Sequence, residues 1–415
     1  MDFILKGNYV YSDKWRNLVV KNNSYGVCVN GICKGVFEEI PNEYKDLSII
    51  NHSDKIIIPG LCDIHLHAPQ YEFRATGMDC ELLEWLDKYT FPAESKYEDV
   101  EYAKLSYEIF ATELKQSTTT RAVIFATIHN DATIELMKLL EQTGLHTYVG
   151  KVNMDRNSPD YYKEESATKS AKDTVEWLEK CNFERTKPIV TPRFTPSCTD
   201  ELMAELEKLV CKFNLPVQSH LCENESEINW VKELCPDVDN YAESYNKYSL
   251  FGTQNNCIMA HCIYCNEDEL QLIKENNVFV AHCPDSNLNL SSGIAPIRKY
   301  LDSELHVGLG SDIGAGQTID LFRQIVSTVQ VSKMYEHYVD SDDKPLTFAD
   351  SFYMATRGGG AFFGNVGAFE KGFEFDAVVI DDSGSNFDTI QRLERIIYAA
   401  DDYEMACKIV NGNII

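Results

Sequence analysis

The segment PGLCDIHLHAPQY, residues 59–71, places two histidines one residue apart at the end of an apolar run. His65 and His67 alternate with apolar residues, so an extended strand would point both imidazoles to the same side. Two neutral imidazoles are costly to bury unless their ring nitrogens find hydrogen-bond partners or a metal ion. The pair therefore indicates a functional strand end rather than ordinary core.

The pattern that follows this segment favours an α/β fold. Further short apolar runs recur along the chain, separated by helical periods such as 98–115, 132–142 and 200–213. Strands alternating with helices over about 300 residues predict a (β/α)₈ TIM-like barrel, with a doubly wound open sheet as the alternative. The predicted strands are 56–67, 118–129, 145–154, 188–194, 215–222, 257–263, 278–284 and 305–312.

Both ends of the 415-residue chain are β-like, which predicts a second, smaller domain. Near the start, Asn30 and Gly31 stand between alternating apolar residues, a strong signal for a tight hairpin. We expect residues 1–58 and 367–415 to form a small discontinuous β-sandwich domain, and residues 59–366 to form the catalytic barrel.

The charge balance restricts the class of partner. Lys and Arg number 38 against 65 Asp and Glu, a net charge of −27 that would repel a nucleic-acid backbone. No signal peptide or long apolar span is recognisable, so we expect no membrane partner and a cytoplasmic location. The 14 cysteines agree with a reducing compartment, and Cys262 with Cys265 is interpreted as two buried thiols because no second pair supports a zinc site.

Four more polar residues stand at predicted strand ends, and a barrel would bring all of them to the face that holds active sites. Three imidazoles and a carboxylate suit Zn²⁺ with one position left for water, whose pKa the ion would lower. His282 is interpreted either as a supporting residue or as one facing the substrate, whereas His129 and His146 are interpreted as core histidines. The four strand-end residues are His220, His261, His282 and Asp312.

Other motifs argue against a nucleotide site. GLGSDIGAG does not match G-x-G-x-x-G, and RGGGAFFG follows a helical pattern instead of a strand. The H-x-E and P-C-x-x-C signature of cytidine deaminases is absent. The segment 69–92 is too long for a simple turn and is therefore expected to be functional, while 161–169 is polar and expected to be exposed.

Several of these segments together resemble the guanine deaminases of the amidohydrolase superfamily. PGLCDIHLHAPQY is similar to that family's H-x-H-A-P-Q motif, and LLEWLDKYTFPAE, residues 82–94, to its lid-like first loop. TPRFTPSC, QSHLCEN, MAHC, AHCPDSNLNLSSG and GLGSD resemble its later strand ends. The resemblance covers most of the chain, from residue 59 to beyond residue 312.

The resemblance implies hydrolysis of guanine to xanthine and ammonia, with one Zn²⁺ per subunit, in a homodimer that serves purine salvage or catabolism. It implies catalytic roles for Glu223 as proton shuttle and for Asp312 and His261 beside the reacting carbon. Implied metal ligands are His65, His67, His220 and Asp312. Implied substrate contacts are His67, Gln70, Arg193, Phe194, His220, Glu223 and Asp312.

Two departures from the family pattern and two alternatives stay open at this stage. IGAGQT, residues 313–318, does not align with the family's loop, and Asp285 stands where asparagine is expected. One alternative is hydrolysis of another heterocycle, such as a pterin, a triazine or an adenosine derivative. The other is a metal-free scaffold of the same fold, which the retained metal-type residues disfavour.

Overall fold

The fold was analysed in a computed structural model that describes residues 2–252, 255–382, 386–399 and 403–415. The strands are β1 (Phe3–Ser12), β2 (Leu18–Val29), β3 (Ile32–Phe37), β4 (Ser48–Ile58), β5 (Leu61–His67), β6 (Thr119–Phe125), β7 (His146–Gly150), β8 (Val152–Asn153), β9 (Thr186–Pro188), β10 (Thr191–Pro192), β11 (Val217–Leu221), β12 (Cys257–His261), β13 (Phe279–His282), β14 (His306–Leu309), β15 (Ala377–Asp381), β16 (Glu404–Val410) and β17 (Asn413–Ile414).

The helices lie mostly between the strands of the central part of the chain. They are α1 (Leu82–Trp85), α2 (Phe91–Glu94), α3 (Val100–Gln116), α4 (Asn130–Thr143), α5 (Ala167–Lys180), α6 (Asp200–Phe213), α7 (Glu225–Leu234), α8 (Tyr241–Asn246), α9 (Glu267–Glu275), α10 (Pro284–Asn289), α11 (Ile297–Asp302), α12 (Leu321–Tyr338), α13 (Phe348–Tyr353) and α14 (Thr389–Ala399). Single π-helical turns span Leu86–Thr90 and Met354–Gly358.

The central strands form the predicted barrel. Two parallel four-stranded sheets, in the orders β5-β6-β7-β9 and β11-β12-β13-β14, are linked through the β8-β10 pair and a bridge from Val190 to Val217. The remaining gap is closed where the backbone N–H of Asp312 donates to the carbonyl of His65 at 2.9 Å. This arrangement confirms the (β/α)₈ prediction and brings every strand's carboxyl end to one face.

The two ends of the chain share one seven-stranded sheet in the order β17-β16-β15-β4-β1-β2-β3, as the β-rich termini predicted. The predicted hairpin is confirmed: Val29 pairs with Ile32 across Asn30 and Gly31, which have φ of 52° and 75°. Two consecutive positive φ values are those of the type I′ turn that Asn-Gly favours. The exact domain bounds, 1–58 with 367–415 and 59–366, stay a prediction that limited proteolysis would test.

The predicted helices are confirmed within a few residues because their caps are encoded locally. The carboxylate of Asp99 accepts from the backbone N–H of Glu101 at 2.9 Å, which starts α3 two residues after the predicted position. Thr199 caps the start of α6, and Asn214 ends it with a left-handed φ of 53°. Among the described residues, no helix has the length and apolar character that crossing a membrane requires.

Two sequence predictions about the fold were wrong. The first barrel strand does not run through 56–67: β4 ends at Ile58 in the terminal sheet, and β5 starts at Leu61 after Pro59, which lacks a donor for the ladder. The polar segment 161–169 is only partly exposed. Tyr162 and Glu164 are buried within it, because each has a buried polar partner elsewhere in the barrel.

Candidate active site

Four polar residues meet at the carboxyl ends of the barrel strands. The Nε2 atoms of His67 and His220 are 3.2 Å apart. Oδ1 of Asp312 lies 3.2 Å from Nε2 of His65 and 3.4 Å from Nε2 of His67. The four residues come from β5, β11 and the turn after β14, so the barrel closure brings together positions almost 250 residues apart along the chain.

These atoms have the chemistry and spacing of a metal-binding set. Ligands about 2.0 to 2.1 Å from a tetrahedral ion are separated by about 3.3 to 3.4 Å, and the observed separations of 3.2 to 3.4 Å are close to this range. His65 is fully buried; its Nδ1 has no hydrogen-bond partner among the described residues, and its Nε2 faces the carboxylate of Asp312 at 3.2 Å. An imidazole in that situation is satisfied by a cation, so the donor set fits Zn²⁺.

Hydrogen bonds on the far side of two imidazoles decide which nitrogen faces the cluster. Nδ1 of His220 donates to the carbonyl of Arg193 at 2.6 Å, and Nδ1 of His261 donates to Oδ1 of Asn287 at 2.8 Å. Each bond leaves the Nε2 lone pair pointing inward, where it can bind a cation or accept a proton. His261 therefore lies beside the other imidazoles with its ring orientation held from behind.

The two carboxyl groups of the cluster are pushed toward different protonation states. Burial raises the pKa of Asp312, but the neighbouring imidazoles of His65, His261 and His67 outweigh that effect and hold it well below its usual range. Burial and the nearby Asp312 carboxylate raise the pKa of Glu223 to about 8. A carboxyl group with a pKa near the working pH can both release and accept protons.

Glu223 is positioned to exchange protons inside the cluster. Its Oε2 lies 3.3 Å from Nε2 of His261, and its Oε1 accepts from the hydroxyl of Ser292 at 3.1 Å. It follows β11 by two residues, and its side chain is 4% exposed. Glu223 is therefore a buried carboxyl group that faces His261 and not a solvent-exposed one.

The backbone is strained where these side chains leave their strands. His261 and Asp312 have φ of 71° and 45°, and Cys222, beside Glu223, has φ of 50°. Non-glycine residues rarely occupy this left-handed region, and each costs about 1–3 kcal/mol, which the surrounding structure must offset. Such strain concentrates where side chains are held for function.

A polar group of different character faces the cluster across the cavity. The guanidinium of Arg193 forms two hydrogen bonds with Glu94, at 2.6 and 3.2 Å. Nε2 of Gln70 donates to the same carboxylate at 2.8 Å. The ring of Phe194 lies beside them, 5% exposed and in edge contact with Trp230. Together they offer donors, an acceptor and an aromatic face to a planar ligand.

The cluster and the facing polar group line one cavity. Every predicted site residue except His65, which lies beneath the floor, lines it. Its predicted lining residues are His67, Gln70, Arg193, Phe194, His220, Glu223, His261 and Asp312. Apolar side chains of Leu82, Trp85, Leu86, Leu290 and Ala315 form the remaining walls, with Glu227 at one end.

The open interpretations of His282 and Asp285 are resolved by position. His282 is buried and does not line the cavity, so it does not face a ligand there; burial and nearby His261 lower its pKa to about 3. Asp285 is also buried, and its carboxylate contacts α12 through Gln324 at 3.2 Å and the hydroxyl of Ser327. Its extra charge thus anchors a helix and does not reach the site.

The cysteines beside the site behave as buried thiols. Sulfur atoms of Cys222 and Cys265 and a carboxylate oxygen of Glu269 lie within 4.8 Å of one another. That carboxylate, however, already accepts backbone N–H groups of Tyr241 and Ala242 at 3.0 and 3.3 Å. Burial raises the pKa of the Cys222 thiol well above its usual range, which keeps it protonated. We therefore assign no metal to this group.

Some residues of the site carry no recognisable sequence signal. Glu94 is the last residue of the lid-like segment 82–94, and the residues next to it in the sequence do not indicate that its side chain is buried. Tyr162, whose hydroxyl donates to Glu94 at 2.8 Å, lies in a segment that reads as exposed. Asn287 and Ser292 belong to the motif after β13, but their partners become visible only in three dimensions.

Comparison with known proteins places this geometry in a family context. The profile of the amidohydrolase family matches residues 56–415. The chain is 35% identical to guanine deaminase of Dictyostelium discoideum, an alignment covering 99% of this chain and 98% of that protein. It is 39% identical to human guanine deaminase, covering 83% and 76% of the two chains.

A solved structure resembles the whole molecule. The crystal structure of guanine deaminase from C. acetobutylicum with bound guanine in the active site superposes with a TM-score of 0.97. The two chains are 46% identical, and the superposition covers 100% of both. The barrel and the terminal sheet are therefore shared across the full length.

Proposed function

The chain belongs to the amidohydrolase family, and we propose that it catalyses the hydrolytic deamination of guanine to xanthine and ammonia. The observation that carries this proposal is the composition of one cavity at the carboxyl ends of the barrel strands. Its floor holds a metal-type cluster, and its opposite wall holds Arg193, Gln70 and Phe194, which suit the edge and face of a purine. The likeness to guanine deaminases, one of them with guanine bound, supports the same reaction here.

The ion in the proposal is one Zn²⁺ per subunit, held by His65, His67, His220 and Asp312. The separations among their ligand atoms support this assignment, as does the full burial of His65 with its Nε2 facing the carboxylate of Asp312. When bound, the ion supplies Lewis acidity that makes hydroxide available near neutral pH. The protein residues then have to place the purine and move its protons.

Proton transfer is proposed for Glu223. Its carboxyl group takes a proton from water as the water oxygen adds to C2 of guanine, and delivers that proton to ring nitrogen N3. It next takes the proton of the hydroxyl group on C2 and passes it to the exocyclic amine, which leaves as ammonia while C2 becomes the carbonyl of xanthine. His261, which Asn287 holds with its Nε2 lone pair toward the cavity, accepts a hydrogen bond from the attacking water and orients the water oxygen toward C2.

The rest of the cavity is proposed to bind and enclose the base. Arg193 donates to a purine acceptor such as the 6-oxo group, and Phe194 covers one face of the ring. Trp85 and Leu86 close the cavity from the segment between β5 and α3, which keeps bulk water away from the reacting carbon.

The test is ammonia release from guanine by the zinc-loaded protein, with adenine, cytosine and a triazine in parallel. We expect ammonia from guanine only, and a loss of activity and of bound metal in His67→Ala. His337→Ala, at an exposed histidine, is the matched control and should keep both. If ammonia is released from another base instead, that base replaces guanine as the assigned substrate. Zinc binding with no ammonia from any of the four compounds would contradict the proposed reaction.

A cytoplasmic homodimer is part of the proposal. It is supported by the family resemblance and by the acidic composition, with 65 acidic against 38 basic residues. Sedimentation equilibrium should give a mass of about twice the 47.2 kDa of one chain. A monomer across the micromolar range would contradict this part and leave the reaction unaffected.

A further inference from the structure

Glu94 is a buried carboxylate that the proposed mechanism does not use. It ends α2 in the segment that covers the cavity, and its side chain is 0% exposed. Both oxygens have partners: Oε1 accepts from Gln70 at 2.8 Å and from Arg193 at 3.2 Å, and Oε2 from Arg193 at 2.6 Å and Tyr162 at 2.8 Å. A charge this deep is tolerated only with such partners, and two of the three are proposed substrate contacts.

Glu94 decides which way the Gln70 amide points. A carboxylate accepts hydrogen bonds and cannot donate, so only the amide nitrogen of Gln70 can face it. The carbonyl oxygen of Gln70 is then the acceptor left for the cavity. This oxygen also packs closely against Gly314 in the loop after β14, where an added Cβ would lie 2.1 Å from it, so only glycine leaves room for it there.

Glu94 also decides how Arg193 presents its donors. The two-pronged contact occupies one edge of the guanidinium and leaves other N–H groups directed elsewhere. The ring of Phe91 lies under the guanidinium with its centroid 5.2 Å away, which holds the plane of the group. Since the carbonyl of Arg193 accepts from His220, the same residue connects this wall with the proposed metal cluster.

We propose that Glu94 is the positioning residue that sets base selectivity, by fixing the Arg193 donors beside the Gln70 acceptor. This pattern complements a 6-oxopurine, in which a carbonyl acceptor adjoins a ring N–H donor. A 6-aminopurine presents the reverse order, a donor beside an unprotonated ring nitrogen. The inference rests on the proposed function, because it assumes that a purine occupies this cavity.

The fixed carboxylate matters because a glutamine amide that is free to turn can hydrogen-bond to a 6-oxopurine and to a 6-aminopurine. A free amide can turn over and exchange its donor for its acceptor at little cost. A site whose polar groups cannot turn leaves them unpaired against the wrong ligand, which is how hydrogen-bonding sites reach discrimination of about 10⁴-fold. Removing the charge of Glu94 should therefore weaken selectivity more than it weakens binding of purines in general.

The first measurement compares guanine with 2,6-diaminopurine, which keeps the reacting 2-amino group and reverses the pattern at C6 and N1. In wild type, kcat/KM should favour guanine by at least about 10³-fold. In Glu94→Gln, the new amide can donate to Gln70 and allow it to turn, so we expect this ratio to fall by about 100-fold. Bound zinc should stay the same.

Two further variants separate positioning from folding. Glu94→Asp keeps the charge but is shorter by one methylene, so its ratio should lie between those of wild type and Glu94→Gln. Glu164→Gln removes another buried carboxylate, paired with Lys151 away from the cavity, and should lower stability without changing the ratio. Equal losses for both substrates in the two Glu94 variants, with the ratio unchanged, would overturn the proposal.

A binding measurement separates this inference from the proposed reaction. Hypoxanthine and adenine both lack the 2-amino group, and they differ in the 6-oxo or 6-amino pattern. Calorimetry should show that wild type binds hypoxanthine more tightly than adenine. In Glu94→Gln, the ratio of the two dissociation constants should be at least tenfold smaller. This result without ammonia release from guanine would reject the reaction and keep the inference, whereas equal binding of both bases to wild type would reject the inference.

Discussion

At the scale of single residues, the site depends on hydrogen bonds made behind the groups that face the cavity. His261 points Nε2 toward Glu223 because its other nitrogen donates to Asn287 at 2.8 Å. His220 is held in the same way by the carbonyl of Arg193. The orientation of each ring is thus set by a partner that does not enter the cavity.

Asn287→Ala tests this orientation. Without its acceptor, the His261 ring can rotate or change tautomer, so kcat/KM should fall by about 10 to 100-fold while bound zinc is unchanged. Ser286→Ala is the matched control, since the hydroxyl of Ser286 has no hydrogen-bond partner among the described residues. Steady-state kinetics with metal analysis checks both, and loss of zinc from Asn287→Ala would show that His261 has a different role.

Glu223→Gln tests the proposed proton carrier. The amide keeps the shape of the side chain and can still accept from Ser292, but it cannot carry a proton between water, N3 and the leaving amine. We expect kcat to fall by about 10² to 10⁴-fold with KM changed less than tenfold. An equally active variant would require another residue to move these protons.

At the scale of elements, the segment from 82 to 94 supplies much of the apolar wall of the cavity. α1, the π turn and α2 follow one another without a break, and the π turn adds a residue to the helical register. Such turns are frequent at functional sites. Here the segment brings Trp85 and Leu86 to the cavity wall at one end and places Glu94 behind Gln70 and Arg193 at the other.

Trp85→Ala tests the enclosure made by this segment. The indole is 2% exposed, lines the cavity and donates through Nε1 to the carbonyl of Thr76 at 2.8 Å. Its loss removes apolar contact made equally in the bound and reacting states, so KM should rise by about tenfold or more while kcat changes little. Lys88→Ala, on the exposed side of the same segment, should leave both constants unchanged; a fall in kcat alone for Trp85→Ala would contradict this interpretation.

At the scale of the whole molecule, a buried ion pair joins the barrel to the terminal sheet. Arg121 on β6 is 2% exposed and contacts Asp376 at 2.6 and 3.0 Å and Glu374 at 2.7 Å. Asp376 also accepts the backbone N–H of Asn411 at 2.7 Å, just after β16. The pair thus links strands separated by more than 250 residues.

Asp376→Asn should destabilise the protein strongly. Removing one partner leaves the guanidinium of Arg121 buried without a full counter-charge, which costs about 3–5 kcal/mol in the free energy of unfolding. Denaturant unfolding at pH 7 should show this loss, and Asp302→Asn, at a half-exposed carboxylate on α11, should change stability by less than about 1 kcal/mol. Equal stability of Asp376→Asn and wild type would show that the pair contributes only to specificity.

The ion pair between Arg121 and Asp376 should also make the free energy of unfolding depend on pH. Burial raises the pKa of Asp376, but the Arg121 guanidinium outweighs that effect and holds it below its usual range. A carboxylate with a lowered pKa stabilises the fold above its unfolded value of about 3.9, and this contribution is lost as the pH falls further. The stability gap between wild type and Asp376→Asn should therefore narrow as the pH falls below about 4.

The sequence by itself determined the features whose physical causes are local. The Asn30-Gly31 hairpin follows from the positive φ that these residues accept, and the limits of α6 follow from Thr199 and Asn214. Period-two and helical patterns were enough to predict the alternating strands and helices, and therefore which end of each strand carries its polar residue. Because a barrel gathers those ends on one face, His65, His67, His220, His261 and Asp312 could be grouped before the structure was known.

Only the tertiary structure decided the contacts made across the barrel. Whether a polar residue is buried depends on what packs over it, so the inward turn of Glu94 and the burial of Tyr162 are not visible in their neighbours along the chain. His282 and Asp285 could be assigned only when the space around each side chain was known. Local propensity acts over a few residues, whereas the pairing of Glu94 with Arg193 acts over 99 residues, and only the closed fold brings such groups within hydrogen-bond distance.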